Sequence, residues 1–271
     1  MDSFTRWNAV IAARRSRRRY DPERTVPADL LAALSGVCEG FRPFPSARAV
    51  LVAGALEDVF KGAVGTYGKI KGAPGFIAFI GDMRHPNVQE QTGYTGEGVV
   101  LEATALGLDT CWVGGFFRAE VAADLAGARG WERVLAVTPV GYASRRGSFE
   151  EKLMAGFGRH RRRRPLSRLA DGIEGARWPD WARAALEAAR LAPSAINRQP
   201  WGFHVAGDSI EVYVRTPLAP DFTVSKRLDC GIAMLHVEAG AASRGAHGRW
   251  TFLEAPGVAR FEVQARGAEA P

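Results

Sequence analysis

Apolar residues recur along this 271-residue chain at two periods, and the order in which they do so repeats. Leu30, Leu31, Leu34, Val37 and Cys38 fall on one face of a helix that starts after Pro27. A strand closing on Val52-Ala53-Gly54 follows it. Far downstream, Ala184, Ala188 and Leu191 mark a second helix, with Asp180 as its N-cap after Pro179. That helix is also followed by a strand, closing on Val205-Ala206-Gly207. Leu30–Gly54 lies over Arg183–Gly207 without a gap, at an offset of 153 residues.

The elements after each strand also correspond. The run Ala73-Pro74-Gly75-Phe76-Ile77-Ala78-Phe79-Ile80 is apolar and bounded by turn residues, which predicts a strand buried on both faces. A helix through Val99, Val100, Ala103 and Leu106 stops at Gly107, and Cys111-Trp112-Val113-Gly114-Gly115 reads as a strand or turn. In the second part, Ile210-Glu211-Val212-Tyr213-Val214 alternates as a strand does. A helix through Ile232, Leu235, Val237 and Ala239 runs toward Gly245, and Trp250-Thr251-Phe252-Leu253 comes after it. Helix, strand, strand, helix, strand thus occurs twice. The charged, glycine-punctuated stretch Ser144–Arg168 lies between and reads as a linker. The expected organisation is two halves, residues 1–150 and residues 151–271.

Composition narrows the class. Hydrophobic residues make up 46% and charged residues 24%, as in ordinary globular proteins. No apolar run approaches the roughly 20 residues needed to span a bilayer. The start, Met1-Asp2-Ser3-Phe4-Thr5-Arg6, lacks the pattern of a secretory signal. Cys38, Cys111 and Cys230 have neither metal-ligand nor disulfide-framework spacing. A cytoplasmic protein with free thiols and no membrane partner is expected. The net charge of +7 comes almost wholly from arginine, so ordinary solvated charge is the default reading and a nucleic-acid partner is not expected.

Three segments carry candidate chemistry. Arg14-Arg15-Ser16-Arg17-Arg18-Arg19-Tyr20 sets a hydroxyl among planar, permanently charged donors that match phosphate oxygens. If Ile11–Arg19 is helical, Arg14 and Arg18 share a face. Arg161-Arg162-Arg163-Arg164-Pro165 is a second basic run. Taken alone, either run is better explained by a solvated arginine face. Pro193-Ser194-Ala195-Ile196-Asn197-Arg198-Gln199-Pro200-Trp201 is different in kind. Its prolines force the chain out of regular structure, so its amides and carbonyls need other partners. A planar heterocycle could supply them, with Asn197 donating and accepting at once. A loop with Asn197 capping a turn is the equal alternative. A phosphate clamp with a heterocycle clamp suits a nucleotide-like cofactor, and flavin mononucleotide (FMN) fits best. The five histidines show no metal spacing and no triad partner. Gly93-Tyr94-Thr95-Gly96-Glu97-Gly98 is a weak imitation of a dinucleotide fingerprint, in the wrong place.

The segments Arg14-Arg15-Ser16-x-Arg18-x-Tyr20 and Pro193-Ser194-Ala195-x-Asn197-x-Gln199-Pro200-Trp201 resemble the two signatures of the nitroreductase family of FMN-dependent oxidoreductases. Gly107–Phe116 resembles its glycine-rich segment, and Val140-Gly141-Tyr142 with Arg161–Pro165 resembles its closing strand and basic phosphate contact. The resemblance implies an α+β fold with a mixed central sheet flanked by helices, and FMN at a two-fold interface. It implies phosphate contacts from Arg14, Arg15, Ser16 and Arg18, helped by Arg161 and Arg163. Pro193, Ser194, Ala195, Asn197 and Gln199 would line the ring, and Val113, Gly114 and Gly115 would approach its other side. It implies a ping-pong oxidoreductase taking hydride from NAD(P)H and passing electrons to an electron-poor acceptor, a nitroaromatic, quinone or similar. No single side-chain acid or base is implied.

The chain departs from the family in one respect. Most members carry both signatures near the start of one short chain, and two chains pair. Here the signatures are split, and Gly40-Phe41-Arg42-Pro43-Phe44 stands where the repeat would place a second Ser-x-x-Asn. The chain therefore resembles a fused pseudo-dimer of two pseudo-symmetric halves, expected to be monomeric and to keep one flavin site. Two other classes remain open: a flavin-binding protein without turnover, and an arginine-rich nucleic-acid-binding module.

Overall fold

The computed structural model describes residues 2–54, 56–60, 70–144, 162–216, 220–221 and 223–264. The chain opens with α1 (Ser3–Ile11), α2 (Ala28–Gly40), β1 (Ala47–Ala53), α3 (Leu56–Phe60), β2 (Gly75–Asp82), α4 (Val88–Ala105), β3 (Asp109–Thr110), α5 (Ala119–Leu125) and β4 (Glu132–Gly141). It continues with β5 (Ala170–Gly172), α6 (Asp180–Arg190), β6 (Trp201–Ala206), β7 (Ser209–Val214), α7 (Lys226–Ala242), β8 (Gly248–Phe252) and β9 (Gly257–Val263).

The α+β class expected from the sequence is present, with the strands divided between two sheets. The first has the order β1-β2-β4-β3 and is antiparallel throughout. The second has the order β5-β6-β7-β9-β8 and is mixed, because β5 joins β6 in parallel. Leaving β5 aside, the strand order of one sheet is the strand order of the other. The offset of 153 residues sets β1 over β6 in these equivalent places.

Burial explains the strand patterns. Ile77 and Phe79 of β2 pack with Leu34 and Cys38 of α2 and with Val99, Val100 and Ala103 of α4. Phe76, Ala78 and Ile80 face the other way, against Val59 and Phe60 of α3 and Ala122 of α5. Both faces are covered, so β2 is apolar without interruption. Strands β6 and β7 bury one face on α6 and α7, through Trp201, Phe203, Val205, Ile210 and Val212. Their other face carries His204 and Tyr213, whose ring nitrogen and hydroxyl both meet the Asp171 carboxylate at 2.6 Å.

Two buried helices, α4 and α7, pack against each other through glycines. A Cβ on Gly93 would stand 2.1 Å from the Leu228 carbonyl oxygen, and one on Gly231 would stand 2.0 Å from that of Glu90. The contacts are reciprocal: each helix lends a glycine to the backbone of the other. Arg227 of α7 binds the buried Glu90 carboxylate of α4 at 3.0 and 2.6 Å. The segment Gly93–Gly98 is thus mid-helix, and its glycines allow close packing. Propensity alone disfavours each by about 1 kcal/mol, and tertiary contact overrides it.

Smaller expectations are adjusted. Pro179 is the N-cap of α6 and Asp180 its first residue, where a carboxylate favours the helix dipole. Helix α1 ends at Ile11, so Arg14–Arg19 is not helical. Of the expected linker, residues 145–161 lie outside the described residues, Arg161 among them. No helix among the described residues is long and apolar enough to cross a membrane. The three cysteines are buried and unbridged, and burial pushes the Cys38 thiol up to about 12.

Candidate functional site

Most of the first arginine run is extended. Ser16 bridges to Thr110 and Arg19 to Lys71, and the Arg17 amide donates to the Thr110 carbonyl at 2.9 Å. The Arg14 amide still bonds back to the Val10 carbonyl at 3.0 Å, and from Ser16 on the segment is extended, so Ser16 and Arg18 lie on the side opposite Arg17 and Arg19. Arg14 is buried, Ser16, Arg17 and Arg18 are half-buried, and Arg15 and Arg19 are exposed. Arg15 turns back to the carbonyls of Ala12 and Arg14 at 2.6 and 2.8 Å.

Arg14 is 7% exposed, and its Nη1 is buried without a hydrogen-bond partner. The Arg163 guanidinium is its electrostatic neighbour. Burial first, and then the charge of Arg14, bring the pKa of Arg163 down to about 10, with Glu97 opposing and Arg15 and Arg190 adding to the depression. Arg163 donates to Asn197 Oδ1 and to the Leu191 carbonyl. Among the described residues, neither Arg14 nor Arg163 has a carboxylate in salt-bridge contact.

The segment Pro193–Pro200 joins α6 to β6 as an irregular loop with a short helical turn, Ala195–Asn197. Ile196, Asn197 and Gln199 have φ of 48°, 58° and 48°, the positive-φ non-glycine residues among those described. Asparagine adopts this region readily. A β-branched isoleucine does not, and such strain clusters at functional sites. Ile196 is also 54% exposed. The carboxamides are engaged by the second arginine run: Asn197 Nδ2 and Gln199 Nε2 both donate to the Arg162 carbonyl at 3.1 Å. Gln199 Oε1 accepts from the Arg164 amide at 2.8 Å. Ser194 Oγ accepts from the Gln199 amide at 2.9 Å. Arg162–Arg164 is therefore laid along the loop, which sequence spacing did not indicate.

Val113 is anchored by a two-way backbone pairing with Val137. After it, a Cβ on Gly114 would lie 2.7 Å from Val224, and one on Gly115 would lie 2.3 Å from Thr223. The Arg198 guanidinium donates to the Val224 carbonyl at 2.8 Å, so the glycine turn and the Pro193–Pro200 loop meet through Thr223 and Val224. Behind the turn, Trp112 donates to Glu97 at 2.6 Å, and Glu97 meets His236 at 2.8 Å. Both Glu97 and His236 are fully buried, and His236 also contacts the Ala188 carbonyl. An apolar cavity of about 280 Å³ between α2 and β1 contains none of these groups.

The structure brings Arg14 to Arg163, Arg163 to Asn197, and the Val113–Gly115 turn to Arg198. Sequence reading missed Thr110, whose buried Oγ1 lacks a partner beside Ser16, and Asp229, which holds Ala195 and Arg198. An acidic residue inside the apolar run Leu228–Val237 was the available signal for Asp229.

Residues 8–241 match the family model described as "Putative TM nitroreductase". The chain belongs to this nitroreductase family. A protein named as a putative nitroreductase from Thermotoga maritima is similar over 98% of this chain and 95% of its own, with a TM-score of 0.65 and 20% identity, which shows a shared fold. A nitroreductase with bound FMN from Bacteroides fragilis is 18% identical over 51% of this chain and 88% of its own, with a TM-score of 0.41. An FMN-dependent nitroreductase from Clostridium difficile is likewise 18% identical, over 53% of this chain and 88% of its own, at a TM-score of 0.41. Among curated proteins there is no match.

Proposed function

We propose that this chain is an FMN-dependent oxidoreductase of the nitroreductase type. The observation that carries the reading is a pair of cations, one buried and one half-buried. Arg14 has an unpaired buried donor, and Arg163 beside it has its pKa lowered partly by the Arg14 charge. Two guanidinium groups so placed are complementary to a dianionic phosphate, which would satisfy the donor and relieve their repulsion. The residues present fit FMN in this respect.

In this reading Arg14, Ser16 and Arg18 receive the phosphate, and Arg163 receives it from the other wall. Arg15 contributes charge from the outer side, and Arg161 completes the basic run. The Pro193–Pro200 loop, with Ser194, Ala195, Asn197 and Gln199, orients the ring, and Val113, Gly114 and Gly115 shape the opposing wall. Bound FMN would supply the redox chemistry, accepting hydride from NAD(P)H and passing two electrons to an electron-poor acceptor such as a nitroaromatic or quinone in a ping-pong cycle. The side chains bind, orient and exclude water, and none is assigned as an acid or base.

The chain is further read as two nitroreductase-like halves, 1–150 and 151–271, fused into a monomeric, cytoplasmic pseudo-dimer with one site. The equal strand orders and the reciprocal glycines support this. So does the place equivalent to the loop: at the offset of 153 residues, Phe41 and Phe44 stand for Ser194 and Asn197. They pack there against Trp7, Tyr94 and Phe252 in an aromatic cluster. Titrating cofactor-free protein with FMN, followed by stopped-flow reduction with NADH or NADPH, tests the reading. One FMN per chain and reduction by a nicotinamide are expected. Uptake without reduction favours a binding protein, and no uptake refutes the proposal.

A further inference from the structure

Asp229 stands in the first turn of α7, is 1% exposed, and belongs to neither signature segment. Its Oδ1 accepts from the Ala195 amide at 3.0 Å, and its Oδ2 accepts from Arg198 Nε at 2.7 Å. The two donors bracket Ile196 and Asn197, the left-handed pair of the Pro193–Pro200 loop. Arg198 carries the connection onward to the Val224 carbonyl, and Val224 fills the space beside Gly114. One buried carboxylate therefore ties the strained loop to the glycine turn across from it. Strain of this kind persists only where surrounding bonds over-determine it. Charged or titratable groups near Asp229 are Arg198, Asp221, Arg227, Cys230 and Glu90, with Lys226 paired to Asp221.

We infer that Asp229 is a positioning residue, holding Ala195 and Arg198 so that both walls of the site keep the geometry the cofactor requires. The inference rests on the flavin reading above. A carboxylate is needed because both of its oxygens receive donors at once. Asparagine in its place would keep an acceptor for Ala195 but turn an NH₂ group toward Arg198.

The test combines Asp229→Asn with Arg198→Met, two routes to losing the same bond. Amide hydrogen exchange is measured over Ala195–Gln199 in cofactor-free protein, and FMN affinity and the visible circular dichroism of bound flavin are measured alongside. Faster exchange by about tenfold, FMN affinity weaker by about tenfold, and an altered flavin signal are expected, from the loss of one charge-assisted bond. The double variant should lose no more than either single. Unchanged exchange overturns the clamp. Faster exchange with unchanged FMN affinity and flavin signal overturns the positioning role while leaving the flavin reading intact. If the unaltered protein takes up no FMN, the flavin reading fails and this role fails with it. Should Asp229→Asn not fold, Arg198→Met decides alone.

Discussion

Replacing Arg14 by methionine separates a phosphate clamp from every other role this side chain could have. Methionine keeps most of the buried aliphatic stem and removes only the guanidinium, so packing is largely preserved. In the cofactor-free protein the guanidinium carries an unpaired donor and lies near Arg163. Its removal ends a like-charge repulsion and a desolvation cost, so the apo-protein should melt at the same temperature or higher. With FMN present, at least one charge-assisted bond is lost, worth about 1.5–3 kcal/mol. At about 1.4 kcal/mol per factor of ten, FMN affinity should fall about 10- to 100-fold. Riboflavin has the ring without the phosphate, and its affinity should change less than about threefold. Fluorescence titration of both ligands against both proteins, with thermal melts of the apo forms, gives all the numbers. Equal losses for FMN and riboflavin would refute the phosphate assignment. A lower apo melting temperature would make Arg14 a structural residue instead.

Two further outcomes follow from packing and charge. Gly93→Ala and Gly231→Ala each drive a Cβ into the partner helix's backbone, which cannot turn aside, so each should cost about 3 kcal/mol or more in chemical denaturation. Gly36→Ala, within α2 and with nothing near its added carbon, should instead stabilise by about 0.5–1 kcal/mol; equal behaviour of the three would contradict the described contact of α4 with α7. Burial pushes the Asp229 carboxyl up to about 6, opposed by Arg198 and the Ala195 amide. The folded protein then holds a proton there that the unfolded chain releases near 3.8, so this group's contribution is fully present below that pH and is lost as pH rises through about 6. Denaturation curves across that window should show a fall in stability on raising pH that is flatter in Asp229→Asn; an unchanged slope would mean Asp229 is not its source.

The parts of the fold legible in the sequence are those whose pattern is set locally. Pro27 and Pro179 announced α2 and α6, and β2 stood out because both of its faces are covered. Only the second half of α4 was visible. The part before Val99 includes Gly93, Gly96 and Gly98, which local propensity reads as loop, and the partner that holds it helical lies more than a hundred residues away. At the site, residue types were legible but partners were not. Asn197 and Gln199 looked available to a ring, whereas the structure commits their carboxamides to Arg162–Arg164. Arg15 and Arg14 looked equivalent in the sequence, yet the structure buries Arg14 and leaves Arg15 exposed.

The reciprocal glycine contact between α4 and α7 also bears on how the protein behaves on dilution. Both helices belong to one polypeptide, so closing that seam is a unimolecular event whose equilibrium contains no concentration term. Residues on its two sides, Arg14 and Gly114 on one and Arg163 and Asn197 on the other, stay tethered at an effective concentration set by the chain that joins them. A site assembled between separate subunits empties as they part at low abundance. Under the proposed one-site reading, tethered walls would let occupancy follow ligand concentration alone, even at a few copies per cell.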